Sequence, residues 1–289
     1  MNGNHKDNDQ ELEQAIMTFQ VITDTHVTAD PQHVHNRNLD RALKDIIAVS
    51  KDSIGIMHVG DVTDHGFERE FTELHRILSE NEDGLPKLLY AVGNHDVGLG
   101  VWEKRISKFL TETGMSAPYH THWIKGYHFI FLGTEKGLQN FCDLSEEQLK
   151  WLDGKLSEQA SLDKPIFLFL HQPLMDTVAG SYVEQDWYGV TQDEPLRAIL
   201  AKYPQAILFT GHTHWELEAE HTMADGQETM PAMFNASSVA YLWTDDDEHK
   251  AGSQGYYVEV YADKVLVKGR DFITRRWIQE AQFQVEYKQ

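Results

Sequence analysis

Five apolar segments in the first 214 residues each end in side chains that can bind a metal ion. Each segment is short and rich in Val, Ile, Leu or Phe, which is typical of a buried strand, and helical patterns lie between them. In an open α/β sheet ligands bind outside the carboxyl ends of the strands, so we expect these side chains to converge. The segments end at Asp24 and His26, at Asp61, at Asn94 and His95, at His171, and at His212 and His214.

None of these positions predicts a metal site when it is taken alone. Asp and Asn next to Gly are common in turns and helix caps, and a single His after a strand is more often an ordinary packed or surface residue. The joint pattern is different, because chance rarely places such groups at five successive strand ends. The sequence therefore predicts one composite site rather than five unrelated turns.

Strands and helices alternate through the first two-thirds of the chain, and the last third is mostly β. Residues 28–37 are predicted to form a loop. Residues 176–192 show no clear hydrophobic period and are predicted to form an insertion near the site. Ser145 is predicted to cap a helix. The predicted strands are 17–23, 54–59, 87–92, 128–132, 165–170, 206–210, 233–241, 255–261, 264–272 and 283–287. The predicted helices are about 39–47, 67–78, 101–113, 145–156 and 195–203.

Length and charge limit the class of protein. A chain of 289 residues suits one domain, which we expect over 16–289 with a β-rich part from about 230, after a flexible tail at 1–15. The net charge of −21 argues against nucleic-acid partners. No apolar run reaches the roughly 20 residues of a membrane span. Cys142 is the only cysteine, so no intrachain disulfide can form, which is compatible with a cytoplasmic location.

The strand-end motifs resemble those of the calcineurin-like metallophosphoesterases, over about residues 19–214. Within that superfamily the chain looks most like the class III cyclic-nucleotide phosphodiesterases and glycerophosphodiesterases. The resemblance implies an α/β fold, a four-layer αββα sandwich of two mixed β-sheets flanked by helices. The matching motifs, in order, are Asp24-x-His26, Gly60-Asp61-x-x-Asp64, Gly93-Asn94-His95-Asp96, His171 and Gly211-His212-x-His214.

The same resemblance assigns roles to the motif residues. Two ions would be bound, and Mn, Fe or Zn suits the mixture of imidazole and carboxylate ligands. His95 would lie near the leaving group without binding metal, and Asn94, His95 and His212 would contact substrate. The implied ligands are Asp24, His26 and His214 for the first ion, Asn94, His171 and His212 for the second, and Asp61 as the bridge between them.

This arrangement predicts hydrolysis of a phosphoester by a metal-bridging hydroxide, with Asp61 and His95 as the catalytic residues. No protein nucleophile is then required. Asp64 and Asp96 are expected to orient histidine ligands. Two divalent ions, two carboxylates and one hydroxide leave a charge of about +1, which favours a diester monoanion over a monoester dianion.

The expected substrate is a small-molecule phosphodiester, such as a cyclic nucleotide or a glycerophosphodiester. A phosphomonoesterase or protein phosphatase on the same scaffold is the alternative, and a non-catalytic metal-binding scaffold is a third interpretation. The sequence does not distinguish a monomer from a homo-oligomer. The candidates for leaving-group contacts are His33, His35, the segment from Tyr182 to Tyr188, Tyr241 and Trp243.

Overall fold

Two six-stranded sheets pack face to face, with helices on their outer faces, in a computed structural model that describes residues 14–185 and 188–287. The expected αββα sandwich of two mixed sheets is therefore confirmed. Most of the predicted N-terminal tail (1–15) lies outside the described residues. Across the described ranges, no helix is both long enough and apolar enough to cross a membrane.

The elements follow one another along the chain in the alternation that the sequence predicts. The strands are β1 (Met17–Ile22), β2 (Ser53–His58), β3 (Leu88–Tyr90), β4 (His120–Ile124), β5 (Tyr127–Phe131), β6 (Ile166–Phe169), β7 (Ala206–Thr210), β8 (Met223–Ala224), β9 (Ala232–Asn235), β10 (Leu242–Trp243), β11 (His249–Lys250), β12 (Gln254–Val260), β13 (Lys264–Asp271) and β14 (Arg276–Glu286). The helices are α1 (Val34–Val49), α2 (Glu68–Glu80), α3 (Asn94–Val97), α4 (Trp102–Thr113), α5 (Glu146–Ser157) and α6 (Asp193–Leu200).

Both sheets are mixed, with parallel strands next to antiparallel ones. The first sheet has the order β14-β13-β12-β1-β2-β3, in which β1, β2 and β3 run parallel. The second has the order β4-β5-β6-β7-β9-β8, with β5, β6, β7 and β9 parallel and the two edge strands antiparallel. The parallel strands of each sheet end at the same edge, which places the loops after them side by side.

Strand β6 shows why some segments are apolar at every position. Phe167 and Phe169 face the first sheet, where their rings meet Phe19 edge-on at centroid distances of 5.0 and 6.4 Å. Ile166 and Leu168 point the other way, into the core beneath α5 and α6. Because side chains alternate along a strand, a strand buried on both faces has no polar position, so its sequence reads as a continuous apolar run.

Helix α5 begins where its cap predicts. The Ser145 hydroxyl accepts a hydrogen bond from the backbone N–H of Gln148 at 3.0 Å, which satisfies one of the free N–H groups of the first turn. Leu149, Leu152 and Leu156 are buried against the second sheet. The prediction of a capped helix with this apolar face is confirmed.

Two local predictions were wrong. Helix α1 begins at Val34, inside the segment expected to be a loop. The prediction failed because the first turn of this helix carries polar residues such as Asn36, which bonds the backbone of Thr28, and so shows no apolar period. The strand expected over 233–241 ends at Asn235, because Ser237 has a φ of 61°, outside the extended region.

Candidate metal centre

Asp24, His26 and His214 form the first cluster of possible metal ligands at the strand ends. All three are buried, and one ligand atom from each lies within 4.8 Å of the others. His214 Nε2 is 3.0 Å from Asp24 Oδ1 and 3.1 Å from His26 Nε2. Three ligand atoms this close together, from the loops after β1 and β7, form the kind of site that could hold a metal ion.

Asp61, His171 and His212 form the second cluster, which touches the first. One ligand atom from each again lies within 4.8 Å of the others, and all three residues are buried. His171 Nε2 is 3.1 Å from Asp61 Oδ2, and the same Asp61 oxygen is 3.8 Å from His26 Nε2 of the first cluster. Asp61 therefore lies between the two clusters. Asn94 joins the second, since its Oδ1 is 3.0 Å from His212 Nδ1.

The backbone at these loops is strained. For any residue other than glycine, a left-handed φ angle costs about 1 to 3 kcal/mol. Hydrogen bonds between the loops hold this conformation, including Asp24 N–H to the Gly60 carbonyl at 3.0 Å and His212 N–H to Asp24 Oδ2 at 2.9 Å. The strained residues are Asp24 at 52°, His26 at 41°, Asp61 at 50°, His212 at 70° and His214 at 60°.

Two motif glycines are required by the close approach of neighbouring carboxylates. A Cβ on Gly93 would lie 2.1 Å from Asp61 Oδ1, and a Cβ on Gly211 would lie 2.5 Å from Asp24 Oδ2. No side chain fits at these distances. The glycines thus let two backbones pass directly beside the two carboxylates of the site.

Backbone carbonyls orient two of the histidines. His171 Nδ1 donates to the Val59 carbonyl at 2.8 Å, and His214 Nδ1 donates to the Tyr241 carbonyl at 3.2 Å. The proton on Nδ1 leaves Nε2 as the atom that faces the cluster. His26 Nδ1 lies 3.3 Å from Asp64 Oδ1, so Asp64 is placed to orient this imidazole in the same way.

Asp96 has a different part from the one expected. Its buried carboxylate accepts hydrogen bonds from the backbone N–H groups of Thr63 at 2.9 Å and Gly93 at 3.0 Å, and from the Thr63 hydroxyl at 2.9 Å. It thereby ties the loop of Asp61 to the loop of Asn94. The expectation that Asp96 orients a histidine is wrong, because its oxygens are occupied by these backbone and hydroxyl groups. Burial and then the nearby Asp61 charge raise the pKa of Asp96 to about 6.

Protons balance the carboxylates in the ion-free protein. Burial opposes charge on His26, but the carboxylates of Asp24 and Asp64 outweigh it and raise the pKa of His26 to about 10. Burial also opposes charge on His171, and Asp61 and Asp24 raise its pKa to about 9. Conversely, burial raises the pKa of Asp24, but His214 and His171 outweigh it and the net shift is downward.

The donor set fits metal ions. Within the described residues, the buried atoms Asp24 Oδ1 and His171 Nε2 lie 3.0 Å from His214 Nε2 and 3.1 Å from Asp61 Oδ2, but neither contact has the geometry of a hydrogen bond. Such atoms are costly to bury unless another group satisfies them. Both face the space between the clusters, and imidazole with carboxylate is the ligand chemistry of Mn, Fe and Zn. A cation would replace the protons on His26 and His171.

We expect metal loading to release protons. His26 and His171 are protonated below about pH 9 in the ion-free protein, and a ligating imidazole must be neutral. Metal affinity should therefore rise as pH increases from 6 and should level off only above the higher of the two pKa values, about 10 for His26. Calorimetric titration with Zn²⁺ at pH 7, in buffers of different ionisation enthalpy, measures the protons released, and a heat that is independent of the buffer would contradict this expectation.

His95 lies at the edge of both clusters. Its backbone N–H donates to Asp61 Oδ1 at 2.8 Å, and its Nδ1 donates to the Asp64 carbonyl at 2.7 Å. Its ring centroid is 4.5 Å from that of His26, and one of its nitrogens lies within 4.8 Å of the ligand atoms of His26 and Asp61. With Nδ1 bound to a carbonyl, Nε2 is the atom available for proton transfer.

Only some of the loop residues expected near the leaving group reach the site. His35 donates to the His26 carbonyl at 3.2 Å and stacks on Tyr241, whose ring lies 4.3 Å from that of His214. In the insertion, Tyr182 packs on His221, and Tyr188 packs on Phe141 at 4.6 Å. Trp187 lies outside the described residues.

Sequence reasoning missed several groups that support the ligands. Gln172 Nε2 donates to Asn94 Oδ1 at 3.0 Å, Asn94 Nδ2 donates to the Gln139 carbonyl at 2.5 Å, and Gly180 of the insertion packs against Thr213 between the two site histidines. The only feature of the sequence that could have indicated a role for Gln172 is its position directly after His171. The other contacts join residues far apart in the chain.

Comparison with known families agrees with this geometry. The family described as Calcineurin-like phosphoesterase matches residues 17–216. The chain belongs to this family. It is therefore a metallophosphoesterase, an enzyme that hydrolyses phosphoesters, and the Asp and His clusters at its strand ends are groups that could bind the metals on which the family depends.

This metallophosphoesterase is also similar to individual proteins. It is 25% identical, over 67% of its own length and 71% of the relative, to a "probable cyclic nucleotide phosphodiesterase" of Synechococcus sp.. Its fold is similar to a purple acid phosphatase, PPD1, of yellow lupin (Lupinus luteus), at 12% identity and a TM-score of 0.65, covering 95% of this chain and 54% of that one. GAP50 of Plasmodium also has a TM-score of 0.65 at 12% identity, covering 94% of this chain and 89% of that one.

Proposed function

We propose that this metallophosphoesterase is a dinuclear-metal phosphodiesterase that acts on a small molecule such as a cyclic nucleotide or a glycerophosphodiester. The observation that carries the proposal is the pair of buried ligand clusters with Asp61 between them. The 25% identical relative described as a probable cyclic nucleotide phosphodiesterase supports the diester substrate. We further propose that residues 16–289 form one domain and that the protein is cytoplasmic.

The proposed ligands are the residues of the two clusters. Asp24, His26 and His214 would hold one ion, and Asn94, His171 and His212 would hold the other, with Asp61 shared. The mixture of imidazole nitrogen and carboxylate oxygen suits Mn, Fe or Zn. When bound, two such ions would polarise the phosphoryl oxygens and lower the pKa of water for attack on phosphorus.

His95 would complete the reaction. Its Nδ1 proton is held by the Asp64 carbonyl, so a protonated ring presents an N–H at Nε2. That group can stabilise the charge that develops on the phosphoryl oxygens or protonate the departing alkoxide. His95 would contact substrate together with Asn94 and His212, while Asp64 would keep the His26 imidazole in its ligating orientation.

We expect the enzyme to prefer diesters over monoesters. A phosphodiester carries one negative charge, whereas a monoester carries two near neutral pH, and a chain of net charge −21 repels the second charge. For the Mn²⁺-loaded enzyme, kcat/KM on bis(p-nitrophenyl) phosphate should exceed that on p-nitrophenyl phosphate by about tenfold. Both substrates release p-nitrophenolate, so the leaving group is the same in the two assays. Faster hydrolysis of the monoester would favour the phosphomonoesterase alternative.

A further inference from the structure

A cavity of about 260 Å³ opens beside His95. Its walls include His65, Leu99, Gln139 and Asn140, together with Asn94 and His95 of the candidate site. Pockets that enclose a drug-sized ligand have volumes of about 300 to 1,000 Å³. This cavity therefore fits one substituent of a small diester rather than the whole molecule.

Asn94 and His95 connect the cavity to the metal centre. Asn94 Oδ1 bonds His212 Nδ1 at 3.0 Å, while its Nδ2 donates to the Gln139 carbonyl in the cavity wall at 2.5 Å. The His95 backbone N–H bonds Asp61 Oδ1 at 2.8 Å, while its ring lines the cavity. A phosphoryl group at the clusters would direct one ester oxygen past the His95 ring into this cavity.

The protein itself holds in place the part of the cavity wall that His65 and Leu99 form. Arg105 donates to the Gly66 carbonyl at 2.6 Å and to the Leu99 carbonyl at 2.5 Å, which joins the loops on two sides of the cavity. The His65 ring is held by carboxylate oxygens of Asp64 and Glu70, each 3.1 Å from its Nδ1. A wall that is already formed costs little to order when a ligand binds.

The chemistry of the lining points to a polar, uncharged ligand. The side-chain amides of Gln139 and Asn140 are exposed and make no hydrogen bond within the described part of the chain, so each offers both a donor and an acceptor. Among the described lining residues none is Lys or Arg, and Asp64 is the only carboxylate. Hydroxyl groups match this lining, whereas an anionic substituent would be repelled by Asp64.

We propose that this cavity binds the leaving alcohol of the substrate, and that Gln139 and Asn140 determine its specificity for uncharged alcohols that carry additional hydroxyl groups. The proposal rests on the phosphodiesterase function proposed above. Glycerophosphodiesters and cyclic nucleotides both release an alcohol of this kind, so the proposal adds the place where that alcohol binds and the residues that select it. In the bound diester, water would attack phosphorus, the P–O bond to that alcohol would break, and the alcohol oxygen would take up one proton.

Two synthetic diesters test the proposal with the Mn²⁺-loaded enzyme. Ethyl glyceryl phosphate and ethyl propyl phosphate have three-carbon leaving groups that differ only in two hydroxyl groups. We expect kcat/KM for glycerol release to exceed that for propanol release by about tenfold, the effect of one or two net hydrogen bonds. The double variant Gln139→Ala/Asn140→Ala should lower this ratio severalfold, to the part that the greater acidity of the glycerol hydroxyl produces without the two amides. Circular dichroism would show that the variant is folded.

A matched control is Gln159→Ala. Gln159 is exposed in the turn after α5 and precedes β6, at the opposite end of the second sheet from the site, and this variant should keep the wild-type ratio. Equal kcat/KM for the two diesters in the wild type would overturn this inference but leave the phosphodiesterase function standing. A tenfold ratio that persists in the double variant would overturn the assignment to Gln139 and Asn140. A loaded wild type that hydrolyses no diester would overturn both proposals.

Discussion

Asp61→Ala is expected to abolish activity by removing the carboxylate between the two ligand clusters. Asp61 Oδ2 lies 3.1 Å from His171 Nε2 and 3.8 Å from His26 Nε2, so its loss removes a ligand from both proposed sites. We expect metal content after dialysis to fall for both ions and kcat/KM on bis(p-nitrophenyl) phosphate to fall by a factor on the order of 10³ or more. Elemental analysis and steady-state kinetics measure the two effects.

The loss of Asp61 also breaks its hydrogen bond with the His95 backbone, so folding must be checked by circular dichroism. Asp83→Ala is a matched control, because Asp83 is exposed in the turn after α2. This variant also removes one negative charge, but at a position away from the site, so it should retain metal and activity. An Asp61→Ala enzyme that retains both ions would contradict the bridging role.

His95→Ala is expected to separate catalysis from metal binding. The His95 ring is held by the Asp64 carbonyl at 2.7 Å beside both clusters, but it is not one of the proposed ligands. Metal content should therefore stay at the wild-type level, while kcat falls by about 10²- to 10⁴-fold, the usual contribution of a general acid. Elemental analysis and kcat on bis(p-nitrophenyl) phosphate provide the measurement.

His75→Ala is the control for this variant. His75 lies on the exposed face of α2, where its Nε2 donates to the Glu112 carbonyl at 2.9 Å, and its removal should leave kcat unchanged within about twofold. If His95→Ala kept the wild-type kcat, the proposed role in charge stabilisation or protonation would be eliminated. If it lost metal, His95 would have to be regarded as a ligand.

The parts of the fold that were predicted correctly depend on short stretches of sequence. Ser145 with Gln148 defines the start of α5, and the apolar run before His171 defines β6, because capping and strand burial involve residues within a few positions of each other. The first turn of α1 was missed for the converse reason. Its Asn36 side chain bonds the loop before the helix, so the turn carries no apolar period.

The role of Asp96 shows what local reasoning cannot reach. Its position in a Gly-Asn-His-Asp motif suggested a partner for an imidazole, yet its carboxylate holds the backbone of Thr63, 33 residues earlier. Local reasoning also could not predict the contact of Gln139, whose backbone carbonyl accepts a hydrogen bond from the Asn94 side chain, 45 residues away in sequence. Such contacts exist only after the loops have been brought together by the two sheets.

Apolar periodicity and motif spacing are properties of neighbouring residues, so the sequence was enough to identify the metal-binding residue types and their places at the strand ends. The αββα architecture was implied by the resemblance of these motifs to those of the calcineurin-like metallophosphoesterases. The resemblance also implied which side chains share an ion, but the distances between them come from the tertiary structure, in which the parallel pair β1 and β2 of one sheet lies beside the parallel pair β6 and β7 of the other. The tertiary structure also decided the left-handed backbone at Asp61 and the cavity beside His95. Strained loops and cavities arise from packing between segments distant in sequence, and no local pattern encodes them.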